Sequence, residues 1–83
     1  MVTSYVLINS DLGTEKEVMD KLKDLDSVKE VYQTSGVYDV VAKLEAESNK
    51  KLRDVIIWQI RKLDNVRAAM TLVETDHYKR MQN

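Results

Sequence analysis

In Gly36-Val37-Tyr38-Asp39, residue type and order combine in a way that suits a small charged ligand. Gly36 carries no Cβ, so backbone N–H groups around it can approach an anion such as a carboxylate. Asp39 can accept a hydrogen bond from an ammonium group. Together they suit a zwitterion. The same four residues also suit a turn, in which the Asp39 carboxylate accepts backbone N–H bonds and closes a hairpin. From the residues alone both readings stand.

Little else in the chain has the makings of a reactive site. The single histidine, His77, sits in the polar run TDHYKRMQN, where a solvated imidazole is the simpler reading and no second ligand stands at a metal-binding spacing. There is no cysteine, which removes thiolate metal sites, thiol chemistry and disulfides and leaves the redox compartment open. Serines and threonines without a partnered histidine form no triad, and the carboxylates are mostly set among lysines, as on a solvated face. The expectation is no catalytic residue, no metal and no cofactor. Thirteen basic residues stand against fourteen acidic ones for a net charge of -1. The signs are interleaved, so the chain has no field that attracts phosphates, and direct nucleic-acid binding is not expected. The apolar run Tyr5 to Ile8 is too short to cross a membrane, and the expected location is the cytoplasm.

The elements that position the loop emerge from an internal repeat. Sliding the sequence by 38 positions lays LDSVK (Leu25 to Lys29) on LDNVR (Leu63 to Arg67), Val18 on Ile56 and Leu22 on Ile60. Each half reads strand, helix, strand. Strands are expected at Val2 to Asn9, Val28 to Thr34, Tyr38 to Leu44 and Val66 to Glu74, all rich in Val, Tyr, Thr and Ile. The first helix is expected to start at Thr14, with Glu17 completing a capping box, and to bury Val18, Met19, Leu22 and Leu25. The second starts at Ser48 and buries Leu52, Val55, Ile56, Ile60 and Leu63 at helical spacing.

A βαββαβ order folds most simply into an α+β, ferredoxin-like sandwich, a four-stranded antiparallel sheet with two helices on one face. The other face then lacks cover, yet Tyr5, Leu7 and Val41 point to it, and the last strand offers Met70 and Leu72 on one face against Ala69 and Val73 on the other. One domain of 83 residues has a small core, since a chain this short buries only about 60 to 65% of its unfolded surface. A second copy laid on the bare face, an isologous dimer, is the expected remedy. Ile57 and Trp58 flank the second helix's stripe and are expected to contact a neighbouring subunit. An RNA-recognition domain shares this element order but needs stacked aromatics in a basic run, and the chain has no Phe.

The stretch from Ser27 to Thr75, and above all SGVYDVVAKL and LDNVRAAMTLV, resembles the effector-binding half of the Lrp/AsnC regulators, the RAM domain, with its G-x-Y-D loop and its L-P-G-V-x-x-T-x-T-x-I/V ending. The resemblance covers essentially residues 1–83 as a single RAM-like domain. It implies dimers joined through sheet faces, rings such as octamers, and an amino-acid effector bound between dimers by the loop and by threonines of the last strand. Carried over by position, the ligand-binding residues are Gly36, Tyr38, Asp39 and Thr71. Ala69 stands where the first threonine is usual, and LDN replaces LPG. The chain begins at the first RAM strand, so a stand-alone module without its own helix-turn-helix is expected, one that regulates by associating with full-length Lrp/AsnC regulators. Two other βαββαβ readings are a dimeric α/β-barrel enzyme of the small monooxygenase kind and an ACT-like amino-acid sensor.

Overall fold

The computed structural model describes residues 1–73. His77 and Glu74 lie outside the described residues, so the reading of His77 and the end of the last expected strand are not addressed by it. The elements are β1 (Val2–Ser10), α1 (Glu15–Lys23), β2 (Val28–Gln33), β3 (Val40–Ala46), α2 (Asn49–Val55), a π-helical turn continuing α2 (Ile56–Ile60) and β4 (Val66–Val73). The four strands form one antiparallel sheet in the order β2-β3-β1-β4. This is the expected ferredoxin-like sandwich.

The period-two pattern of the strands sends alternate residues to the helices. Ser4, Val6 and Ile8 pair with Leu44, Ala42 and Val40, and all six are buried beneath the helices with Val18, Leu22, Leu52, Val55 and Ile60. Each large apolar side chain so buried contributes about 1.5 to 3 kcal/mol. The two repeats agree in detail. The pairs Val18/Ile56 and Leu22/Ile60 are all buried. Each half also carries a bulge at the same repeat position, Lys29 in β2 and Arg67 in β4, where the register skips one residue.

Local signals fared unevenly. Ser48 caps α2 as expected, its hydroxyl accepting from the Lys51 N–H at 3.1 Å. The capping box at Thr14 does not form: Thr14 precedes α1 but makes no side-chain cap bond, because its backbone (φ -109°, ψ 11°) is not in the extended conformation that aims a cap oxygen at the helix N–H groups, and its hydroxyl donates backwards to the Asp11 carbonyl at 2.7 Å. The second helix is not a uniform α-helix either, since it widens into the π-turn over its last five residues. Strand β3 starts at Val40 rather than Tyr38. Asn65, which stands where the resembling family has glycine, adopts φ 74°, a conformation that asparagine tolerates better than most residues, so the LDN variant keeps the turn.

Candidate functional site

The loop between β2 and β3 is closed twice by Thr34, whose N–H donates to the Asp39 carbonyl at 2.9 Å and whose hydroxyl donates to the Tyr38 carbonyl at 2.7 Å. Gly36 has φ 118°, and a Cβ there would meet nothing within 4 Å; backbone conformation, not crowding, is what asks for glycine. The Asp39 N–H donates to the Ile8 carbonyl at 3.0 Å, and its carboxylate Oδ2 accepts from the Ser10 N–H at 2.9 Å. The carboxylate therefore ties the loop to β1, while the turn itself is closed by the Thr34 bonds to backbone carbonyls. Among the described residues the other carboxylate oxygen is unengaged, and Asp39 is half-buried. It lines a concavity of about 420 Å³ with Asn9, Ser10, Val37, Ala68 and the bulge residue Arg67. The Tyr38 hydroxyl reaches across the sheet to the Met70 sulfur at 3.5 Å.

Thr71 is elsewhere. It pairs with Val6 and so faces the helix side, where it lines a cleft of about 380 Å³ between β4 and the second helix. The cleft exists because the two helices pack over β2, β3 and β1 and give β4 little cover. One protomer thus brings Gly36, Tyr38 and Asp39 together but keeps Thr71 apart from them. The cleft's helical wall is a ladder, Asn49, Arg53, Ile57 and Arg61, and its floor is Leu52, Ile56 and Ala69. Residues four apart share one helix face; that spacing was the signal for Arg53 and Arg61, which the reading of the motifs passed over. Among the described residues neither guanidinium has an acidic partner within 4.0 Å, and no carboxylate lines the cleft. Among the described residues no cluster of three or more His, Asp or Glu stands close enough to hold a metal ion.

The residues expected to face a neighbour divide in two. Tyr5, Leu7 and Val41 share the bare face of the sheet with Tyr32, Met70 and Leu72, and Tyr5 is 43% exposed while Tyr32, Met70 and Leu72 are about half exposed. Tyr32 was missed, although it alternates with the inward Val31. Its hydroxyl donates to Glu30, and that bond raises its pKa above the ordinary tyrosine value. Ile57 is half-buried in the cleft wall, whereas Trp58 is 63% exposed, with the Lys62 ammonium 5.3 Å from its ring centroid.

A ferredoxin-like sandwich with a bare apolar sheet face and a small-molecule-sized cleft defines the class of this protein. Its sequence then places it within that class. Residues 3–83 match the Lrp/AsnC ligand binding domain, and the chain belongs to that family, one of transcriptional regulators. The chain is 28% identical over 74 residues to the uncharacterized HTH-type transcriptional regulator PF0250 of Pyrococcus furiosus, covering 86% of this chain and 49% of that protein. It thus spans about half the length of that relative. Among solved structures, the hypothetical protein PHS023 from Pyrococcus horikoshii is 34% identical with a TM-score of 0.84, covering 99% of this chain and all of that one. AsnC of E. coli is 26% identical with a TM-score of 0.83, covering 98% of this chain and 56% of that one. No helix among the described residues is long and apolar enough to cross a membrane.

Proposed function

We propose that this chain is a non-enzymatic, oligomeric amino-acid-binding module that regulates transcription through regulators of the Lrp/AsnC type. The observation that carries the reading is the split of complementary charge between two places. Among the described residues, the α2–β4 cleft offers Arg53, Arg61 and the Thr71 hydroxyl but no carboxylate, while Asp39 keeps one oxygen without a hydrogen-bond partner at the far loop. A zwitterion needs both. A second copy that brings its Gly36-Val37-Tyr38-Asp39 loop to the cleft completes the site: guanidinium and hydroxyl hold the carboxylate, and Asp39 accepts from the ammonium. The bare sheet face supplies the first association, and the loop-to-cleft contact extends it toward a ring.

A thermal-shift screen over the common amino acids, with light scattering on the same samples, tests this. Expected is a rise in melting temperature with at least one amino acid, since a ligand at 100 times its Kd adds about 2.7 kcal/mol to stability, and an assembly of dimers or larger. A monomer unmoved by any amino acid overturns the proposal.

A further inference from the structure

We infer that the cleft selects an amino acid with an apolar, aliphatic side chain, and that Ala69 sets this preference. The inference rests on the amino-acid reading above and names which amino acids that site takes. Its basis is a difference between the two halves of the repeat. Moving back 38 positions from Ala69, Ile57 and Thr71 gives Val31, Met19 and Gln33. In the first half Val31 and Met19 pack against the core, as Ala69 does in the second, and the hollow beside Val31 is smaller, about 290 Å³, with Lys23, Val28, Lys29 and Glu30 around it. In the second half the smaller Ala69 and the short cover over β4 leave a larger and more apolar hollow, the cleft.

What lines the opened space decides what fits it. Leu52 is 2% and Ile56 8% exposed, and with Ala69 and the half-buried Ile57 they make an apolar floor. The polar groups, Arg53, Arg61, Asn49 and Thr71, complete the lining, and the two exposed guanidiniums are suited to a carboxylate. A ligand anchored there by its carboxylate lays its side chain on the floor. An aliphatic chain gains burial, whereas an amide, ammonium or second carboxylate loses its water against carbon.

The test is calorimetric titration of the full chain with leucine, valine, asparagine and lysine, repeated on Ala69→Val, which installs the first half's residue, and on Ile57→Ala. The parent should bind leucine or valine at least about tenfold more tightly than asparagine or lysine, the scale on which apolar pockets discriminate. Ala69→Val should weaken leucine about tenfold or more by filling the floor, with an unchanged circular dichroism spectrum. Should that variant fail to fold, Ile57→Ala, on a partly exposed wall, should weaken leucine more than asparagine. Tighter binding of asparagine or lysine than of leucine by the parent overturns the inference and leaves the amino-acid site standing. Leucine affinity indifferent to the floor substitutions also overturns it. No binding of any amino acid removes the underlying reading, and this inference with it.

Discussion

Asp39 ties its loop to β1 with one carboxylate oxygen, which accepts from the Ser10 N–H, and the proposed ammonium contact uses the other, so the two roles would not compete. The amide of asparagine can still accept from the Ser10 N–H but carries no charge toward an ammonium. Asp39→Asn should therefore weaken amino-acid binding by about 1.5 to 3 kcal/mol, the worth of a charge-assisted hydrogen bond, while thermal melting of the unliganded protein barely moves. Asp39→Ala, which strands the Ser10 N–H, should lower the melting temperature as well. Equal amino-acid affinity in parent and Asp39→Asn would confine the residue to tying its loop to β1. At this scale the sequence was informative for Gly36, because a positive φ leaves a mark on residue type, and less so for Asp39, whose carboxylate reaches Ser10 on β1 instead of the hairpin's own N–H groups. It misled at Thr14, where the backbone is not in the extended conformation that aims a cap oxygen at the helix N–H groups. Arg53 and Arg61 look like any solvated helix residues until β4 is placed opposite them.

At the scale of elements, the second helix separates two surfaces. Its inward stripe was legible from spacing, and Leu52, Val55, Ile56 and Ile60 are buried as that spacing requires. The widening at Ile56–Ile60 was not, since an i+5 turn costs one backbone shift and leaves no compositional trace. The cleft was hidden for a related reason: it depends on how far a helix reaches over a sheet, which no local pattern encodes. On the outward surface, Trp58 has little to lose within one chain. Trp58→Ala should change the unfolding free energy of a dimer by only about 0.5 kcal/mol, as exposed substitutions do, yet shrink any larger assembly seen by light scattering, because a desolvated Trp is a common interface anchor. An unchanged assembly would make Trp58 a solvated residue steadied by Lys62.

For the whole molecule the sheet's bare face matters most. Leu7 sits at its centre on β1, between Val41 on one side and Met70 on the other. The Lys43 ammonium on this face lies 3.8 Å from Glu30 and 4.0 Å from Glu45, so a cover must reach around a group of three charges that one lysine only half neutralises. A stable interface of ordinary size buries about 1,600 Å² in total. Leu7→Glu should leave a folded chain but move the mass measured at low micromolar concentration to that of a 9.6 kDa monomer. If the parent itself runs at that mass, the bare face has no partner of its own kind. The topology of the whole was the most legible level, because the repeat stated it twice. That the face left bare by the helices carries apolar residues was legible too, in strands such as Val2–Ser10, where Tyr5 and Leu7 alternate with the buried Ser4, Val6 and Ile8.

The repeat has a further consequence. Two halves with matching folds and matching bulges at Lys29 and Arg67 differ in the side chains between helix and edge strand: Met19 and Val31 in the first stand where the second has Ile57 and the smaller Ala69. Pseudo-symmetry within the chain is therefore broken where a guest would sit. A duplicated scaffold with two equally apolar hollows would present two seats per subunit and a blurred dose response. With the cleft as the proposed seat, one per subunit, bound amino acid would count subunits directly, and any departure from a simple hyperbolic occupancy curve would report coupling between copies.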